Sequence, residues 1–221
     1  MNKIWFFGDS NTDGYNKSYQ WVNEYINWKG YEPKFWPELL ANKLELPFEN
    51  CGKGGSDNYT ILDSIIKQID NIEDGDYMII GWSAITRFRL ADTSDKFFHT
   101  AVPNCLPDLP LISEKTMQEI LVNRDSELFL KEVTGWMTLL NHAFKNNKIF
   151  YWSMFPEFQK CRILNKLSWS YYNGKMQIKD ETKGEIKDGH LSEYGCTVLA
   201  DIMFNYINKG CLLYTSDAAD E

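Results

Sequence analysis

Three short and almost wholly apolar runs place the strongest constraint on the fold of this chain. They are IWFF at residues 4–7, YMIIGWS at 77–83 and KIFYWSMF at 148–155. Runs of four to eight apolar residues are typical of strands buried on both faces, as strands are in a parallel sheet. FEN at residues 48–50 predicts a further short strand. The chain is therefore expected to build a buried, mainly parallel sheet.

Segments with helical periodicity separate these runs. Four helices are predicted. The first begins near Pro37, the second follows the N-cap Asp57, the third covers residues 114–146, and the last begins near Ser192. Their predicted inward faces are, in the first helix, Trp36, Leu39, Leu40 and Leu44; in the second, Ile61, Leu62, Ile65, Ile66 and Ile69; and in the last, Val198, Leu199, Ile202, Met203, Tyr206 and Ile207. This alternation predicts an α/β fold with helices on both faces of the sheet.

The length of 221 residues fits one domain, which we predict over residues 1–210, with excursions at about 15–32 and 88–112. The last eleven residues, CLLYTSDAADE, read as one frame through a transposon-derived sequencing adapter. We therefore interpret 211–221 as a non-native or disordered tail on a sequence of metagenomic origin. A natural polar tail is the alternative.

Composition excludes several classes of function. A net charge of −8 argues against a nucleic-acid partner, and no apolar stretch is long enough for a membrane span. The five cysteines are scattered without the spacing of a metal site, as expected for reduced thiols. Because the first strand begins near residue 3, no room is left for a signal peptide, and a cytoplasmic location is expected.

A serine follows the first apolar run. Gly8 ends the run, and Ser10 then lies just beyond the carboxyl end of a central strand, where open α/β sheets bind ligands. A serine hydroxyl needs a base that is itself oriented by a third group. Of the three histidines, His99 and His142 are interpreted as structural or solvent-facing. His190 has Asp188 two residues before it and is the candidate base.

Two further segments could stabilise an oxyanion. NCGKGGS at residues 50–56 is a sharp glycine-rich turn after a strand, and such turns offer backbone N–H groups. A phosphate-binding loop is the alternative for this turn, but the Walker spacing is missing. Ser83, at the end of the third apolar run, is a second short polar donor, or simply a serine that ends a strand.

The order of these four segments resembles the SGNH/GDSL hydrolase superfamily over residues 3–208. The resemblance implies a three-layer α/β/α fold with a parallel, flavodoxin-like doubly wound sheet. It also implies a carboxylic ester hydrolase that works through an acyl-serine, with no metal or organic cofactor. By this resemblance Ser10 is the nucleophile, His190 the base and Asp188 its partner, and the N–H groups of Ser10 and Gly55 bind the oxyanion.

Two departures from the family pattern concern the roles of single residues. Ser83 stands where the family has an oxyanion-binding asparagine, and Asp188 lies two residues before His190 instead of three. Asp9, Asn11 and Asn50 are interpreted as supports of the site loops. Trp82 and Arg87 are candidate substrate contacts.

The substrate is expected to be a small-molecule or carbohydrate ester, with a short acyl group such as acetyl. Aromatic residues in the first excursion are candidates for stacking on sugar rings, covering an acyl pocket or packing in the core: Tyr15, Tyr19, Trp21, Tyr25, Trp28, Tyr31 and Phe35. Two alternatives stay open. One is an acyltransferase on the same scaffold, and the other is a non-catalytic carbohydrate-binding relative.

Overall fold

A computed structural model describes residues 1–85, 87–91, 98–101, 126–155, 157–158, 165–166 and 176–209. Its main sheet has five parallel strands in the order β2-β1-β3-β6-β7. These strands are β1 (Ile4–Phe7), β2 (Phe48–Asn50), β3 (Tyr77–Gly81), β6 (Lys148–Ser153) and β7 (Asn165–Lys166). A separate antiparallel pair consists of β4 (Phe88–Ala91) and β5 (Phe98–Ala101).

Seven helices lie in the described ranges. They are α1 (Ser10–Asp13), α2 (Gln20–Lys29), α3 (Trp36–Leu44), α4 (Asn58–Lys67), α5 (Ser126–Ala143), α6 (Ile178–Glu181) and α7 (Glu193–Lys209). None of them is long and apolar enough to cross a membrane.

Alternate residues of β1 enter two different cores. Ile4 and Phe6 pack in a cluster with residues of α2, α3 and α7, whereas Trp5 and Phe7 pack with residues of α4 and α5. Because successive side chains of a strand point to opposite faces, the sheet is covered on both sides. This arrangement confirms the predicted three-layer α/β/α fold with a parallel sheet.

The predicted apolar stripe of α4 was too wide. Asp57 caps the helix as predicted, accepting a hydrogen bond of 2.7 Å from the Thr60 N–H. Ile61 and Ile65 are fully buried, but 54% of Ile66 is exposed. Adjacent residues lie about 100° apart around a helix, so Ile66 turns away from the sheet while Ile65 faces it. Ile69 lies beyond the end of α4 and is also exposed.

Several other elements differ in length from their predictions. Strand β3 ends at Gly81, although the apolar run continues to residue 83. Strand β6 ends at Ser153, although its run continues to residue 155. Within the aromatic excursion at 15–32, α2 is a ten-residue helix. The described parts of the excursion at 88–112 are the strands β4 and β5. The rest of that excursion, residues 114–125 of the predicted long helix and the tail 211–221 lie outside the described residues.

The connections of β1 create a topological switch point at the carboxyl edge of the sheet. The chain leaves β1 for β2 on one side, then returns to pair β3 on the other side of β1. In open α/β sheets, ligands bind where the strand order reverses in this way. Ser10 follows β1 at this point.

Candidate active site

Ser10 is the first residue of the short helix α1 and is partly exposed. The preceding Asp9 is the N-cap, and its carboxylate accepts a 2.9 Å hydrogen bond from the Asn11 N–H. The side-chain amide of Asn11 donates to the same oxygen at 3.1 Å. Trp36 holds the other side of the turn, because its indole N–H donates to the Asn11 carbonyl at 2.5 Å. Asp9 and Asn11 therefore hold the turn that presents Ser10.

The second oxygen of Asp9 also has two donors. The Ser83 hydroxyl donates to it at 2.8 Å, and Nη1 of Arg87 donates at 2.9 Å. Arg87 Nη1 also donates to the Ser56 carbonyl at 3.2 Å. The Asp9 side chain is only 6% exposed, so its charge is stabilised by these neighbours instead of by water.

The contacts of Ser83 and Arg87 bear on the roles expected of them. Ser83 is fully buried, and its single hydroxyl hydrogen goes to Asp9, so it has none left for an oxyanion. Its backbone is held by Asn58, which accepts from the Ser83 N–H at 2.7 Å and donates to its carbonyl at 3.0 Å. Nη1 of Arg87 binds Asp9 and the Ser56 carbonyl, so this side chain helps to hold the loops.

Trp82 is likewise not placed to contact a substrate. It is 2% exposed and lies in the core cluster on the α4 and α5 side of the sheet. Its ring packs near those of Trp136 and Tyr151, at centroid distances of 6.2 and 6.4 Å. Trp82 directly follows Gly81, the last residue of β3. Side chains alternate between the two faces along a strand, and this alternation turns Trp82 toward the α4 and α5 side of the sheet.

The glycine-rich turn packs directly on α1. The Asn50 amide donates to the Thr12 carbonyl at 2.6 Å, and the Gly54 N–H donates to the Asp13 carboxylate at 2.9 Å. The first of these bonds ties Asn50 to α1, and a support role for Asn50 stays a prediction. Gly55 has a left-handed φ of 76° and is exposed, and within the described residues its N–H has no hydrogen-bond partner. An exposed backbone N–H is the type of donor that an oxyanion requires.

His190 and Asp188 form a close pair in the turn between α6 and α7. Asp188 Oδ1 accepts from the His190 backbone N–H at 2.8 Å and lies 2.7 Å from its ring Nδ1. Burial raises the pKa of Asp188, but the hydrogen bonds and charge of His190 outweigh it and lower that pKa below its ordinary value of 3.8. With Nδ1 engaged, Nε2 is the ring nitrogen left for proton transfer. The shorter spacing in sequence thus still permits the pairing.

Backbone hydrogen bonds anchor the histidine turn to α6. The Ile178 N–H donates to the His190 carbonyl at 3.0 Å, and the Lys179 N–H donates to the Asp188 carbonyl at 2.9 Å. Both residues of the pair therefore sit on a fixed backbone.

Two aromatic residues that follow α1 in the chain contact the histidine turn. The Tyr15 hydroxyl donates to the Leu191 carbonyl at 3.2 Å. The Trp21 ring stacks on the His190 imidazole with centroids 4.4 Å apart and planes within 4°. Within the described residues no hydrogen bond joins the Ser10 hydroxyl to His190. Catalytic hydrogen bonds are often long without substrate and shorten in the complex.

Sequence reasoning missed Asp13 altogether, and it named Tyr15 and Trp21 only as candidate aromatic contacts, without linking them to the histidine turn. Asp13 bridges the glycine turn and α2, because it accepts both the Gly54 N–H and, at 3.4 Å, the Tyr19 hydroxyl. Trp21 and Tyr15 contact the histidine turn. No spacing rule links these positions to residues so distant in sequence. The high aromatic content of the excursion was the one signal available.

The other two histidines lie on α5 and β5. His142 is exposed near the end of α5, in agreement with its predicted solvent-facing position. His99 belongs to β5, and its side chain lies outside the described residues. Over the described ranges, no three His, Cys, Asp or Glu side chains gather in a way that could hold a metal ion.

Comparisons with known proteins find likeness only among solved structures. No family model and no curated protein matches the chain. A protein designated a GDSL-like lipase from Parabacteroides merdae is 14% identical with a TM-score of 0.49, covering 94% of this chain and 95% of that one. An acetyl xylan esterase from the rumen bacterium Butyrivibrio proteoclasticus is 12% identical with a TM-score of 0.39. The match covers 95% of this chain but 53% of the esterase, so this chain spans about half of it.

A third structure is a protein designated lipolytic, of the GDSL family, from Desulfitobacterium hafniense. It is 14% identical with a TM-score of 0.36, covering 96% of this chain and all of that one. At these identities and scores, the likenesses assign no role to any residue of this chain.

Proposed function

We propose that this chain is a serine hydrolase of carboxylic esters, with Ser10 as nucleophile, His190 as general base and Asp188 as its partner. The observation that carries the proposal is the engagement of His190 Nδ1 by Asp188 at 2.7 Å, which leaves Nε2 free. A histidine oriented in this way is the kind of base that a serine hydroxyl needs, and Ser10 follows a central strand, where open α/β sheets bind ligands.

In the proposed reaction, Ser10 Oγ attacks the ester carbonyl and His190 Nε2 takes the hydroxyl proton. The negative oxygen of the tetrahedral intermediate accepts hydrogen bonds from the N–H groups of Ser10 and Gly55. His190 then gives its proton to the departing alcohol. Water attacks the acyl-serine in the same way, releasing the acid and restoring Ser10. The protein groups alone supply this chemistry, and no metal or organic cofactor takes part in the proposal.

The substrate class we propose is a short-acyl O-ester, such as an acetyl group on a carbohydrate. Partly buried aromatic side chains on the excursion, Tyr19 and Trp21, lie against the histidine turn and the glycine turn. Aromatic rings next to the proposed base are suited to stacking on the sugar portion of such an ester.

Turnover of p-nitrophenyl acetate and butyrate by the full chain tests the proposal, together with labelling by a fluorophosphonate probe. We expect Ser10→Ala and His190→Ala to lower kcat by about 10⁴- to 10⁶-fold. Ser64→Ala on α4 and the exposed His142→Ala are matched controls and should keep parental rates. Mass spectrometry should locate the probe on Ser10. A folded parent that neither turns over ester nor takes the probe would refute a serine hydrolase and favour a binding protein.

Addition of alcohol acceptors to the same assay addresses the acyltransferase alternative. A hydrolase releases acid at the same rate with and without the acceptor. Formation of acylated acceptor in preference to acid would replace hydrolysis by transfer, while leaving the Ser10 acyl-enzyme unchanged.

A further inference from the structure

We propose that Trp21 is a positioning residue for His190, holding the imidazole on its face while Asp188 holds it on its edge. The inference rests on the proposed function and extends it to a residue outside the four sequence segments. Its basis is the close parallel stack of the two rings, 4.4 Å between centroids and 4° between planes.

The two contacts restrict different motions of the imidazole. The bond from Nδ1 to Asp188 fixes one edge but lets the ring swing about the line that joins those two atoms. A flat indole against one face blocks that swing. Together the two contacts restrict Nε2 to one orientation. Proton transfer requires this restriction, because a small misplacement of a catalytic group lowers the reaction rate strongly.

The stack also acts on the proton-transfer step of the proposed reaction. When His190 takes the serine proton, it becomes an imidazolium lying over the electron-rich face of an indole. Attraction between a cation and an aromatic face stabilises the transition state in which that charge develops. Trp21 therefore acts more strongly in the transition state than in the ground state, and its loss should appear in kcat.

The helix that carries Trp21 is held firmly against the histidine turn. Lys29, at the end of α2, pairs with Glu181 at 2.9 Å and with Glu193 at 2.7 Å. The Tyr25 hydroxyl accepts from the Glu193 N–H at 2.8 Å and bonds Glu181. These contacts flank the histidine turn in sequence on both sides. Trp21 is thus presented by a fixed helix instead of a free loop.

Tyr19 extends the same support to the glycine turn. Its ring lies parallel to that of Trp21, with centroids 6.2 Å apart, and its hydroxyl bonds the Asp13 carboxylate that also accepts the Gly54 N–H. The start of α2 therefore touches both the turn with the candidate oxyanion donor and the candidate base.

Kinetics of Trp21→Leu, Trp21→Phe and Trp28→Leu in the full chain test the proposal with p-nitrophenyl acetate. Trp21→Leu should lower kcat by roughly 2- to 30-fold. KM should stay within about twofold, because the ground state loses little. Trp21→Phe, which restores an aromatic face, should recover most of kcat. Trp28→Leu is the matched control, since Trp28 is on the same helix and bonds Glu185 instead of touching His190.

Proton NMR of the His190 ring gives a readout that does not need activity, with assignment from His190→Ala. Stacked rings shift each other's protons upfield, so those of His190 should move downfield in Trp21→Leu and stay in place in Trp28→Leu. Unmoved protons would refute the stack. An active parent whose kcat survives Trp21→Leu, or whose loss lies in KM alone, overturns the positioning role. A parent with neither turnover nor probe labelling overturns the proposed function and this role with it.

Discussion

At the scale of single residues, one buried carboxylate organises the turn that carries Ser10. Asp9 is 4% exposed and accepts hydrogen bonds from Asn11, Ser83 and Arg87. A buried carboxylate without donors is strongly unfavourable, so each of these bonds matters to the fold. Ser83, which the sequence pointed to as an oxyanion donor, instead supports this carboxylate.

The Ser83→Ala variant separates the two roles. Removing the hydroxyl takes one donor from Asp9, so the free energy of unfolding should fall by about 1.5–3 kcal/mol. The kcat for p-nitrophenyl acetate should fall by less than about tenfold, whereas loss of an oxyanion donor costs about 10²- to 10³-fold. Urea unfolding and steady-state kinetics measure both, with Ser64→Ala as the control. An unchanged stability with a hundredfold loss of kcat would restore the oxyanion role.

Asp188 should contribute a pH-dependent part of the stability. Its pKa in the folded protein lies below the ordinary 3.8, because the His190 hydrogen bonds outweigh burial. A carboxyl whose pKa is lowered on folding stabilises the protein above its unfolded pKa, and that stability is lost as the pH falls through the folded pKa.

Urea unfolding of the parent and of Asp188→Asn from pH 3 to 7 checks this sign. The difference in free energy of unfolding between the parent and the variant should shrink as the pH falls below about 4. A difference that grows over that acid interval would show that the folded pKa of Asp188 is raised instead. In the same variant, kcat should fall by about 10²- to 10⁴-fold, because the imidazole loses its charged partner.

At the scale of elements, the glycine turn and α2 depend on a close approach. An added Cβ at Gly54 would lie 1.9 Å from the Tyr19 hydroxyl and 2.6 Å from the ring carbon that bears it. The turn can reach Asp13 and expose Gly55 only because no side chain stands between it and Tyr19. The first helix, the glycine turn and α2 therefore form one packed unit around the site.

Gly54→Ala should disrupt this unit. Tyr19 must move, so we expect the free energy of unfolding to fall by about 1–3 kcal/mol. We also expect a lower kcat/KM for p-nitrophenyl acetate, because Gly55 is displaced with its neighbour. Gly135→Ala on α5 is the control, since its Cβ meets open space, and it should stabilise by about 0.5–1 kcal/mol. Equal changes in the free energy of unfolding and in kcat/KM for the two variants would contradict the close approach of Gly54 to Tyr19.

At the scale of the whole molecule, two hydrophobic clusters complete the layers on either side of the sheet. The cluster on the α3 and α7 side runs from Ile4 to Met203 and has Ile207 packed against it. The other, on the α4 and α5 side, extends from Trp5 to Phe158. Neither cluster, as far as the described residues define it, depends on the tail at 211–221.

A chain of residues 1–210 should therefore match the full chain. We expect equal Tm by differential scanning calorimetry and equal kcat/KM, because both cores are built from residues before the tail. A lower Tm for the shorter chain would show that the tail packs on the domain. It would also contradict our interpretation of the tail as translated adapter.

The sequence by itself determined the layers and the position of the candidate nucleophile. Continuous apolar runs such as Ile4–Phe7 can be buried only on two faces, and local signals such as Asp57 mark helix starts through contacts a few residues away. The order of the four segments similarly pointed to Ser10, Gly55 and the Asp188–His190 pair.

Only the tertiary structure decided what these residues touch. Ser83 bonds Asp9 across 74 positions of sequence, and Tyr15 bonds the Leu191 carbonyl across 176. Trp21 reaches His190 only because α2 docks on the histidine turn. The periodicity of apolar residues predicts which face of an element is buried, but it does not predict which distant side chain contacts that face. Hydrogen bonds and ring stacks between distant residues depend on such contacts, so only the packed fold specifies them.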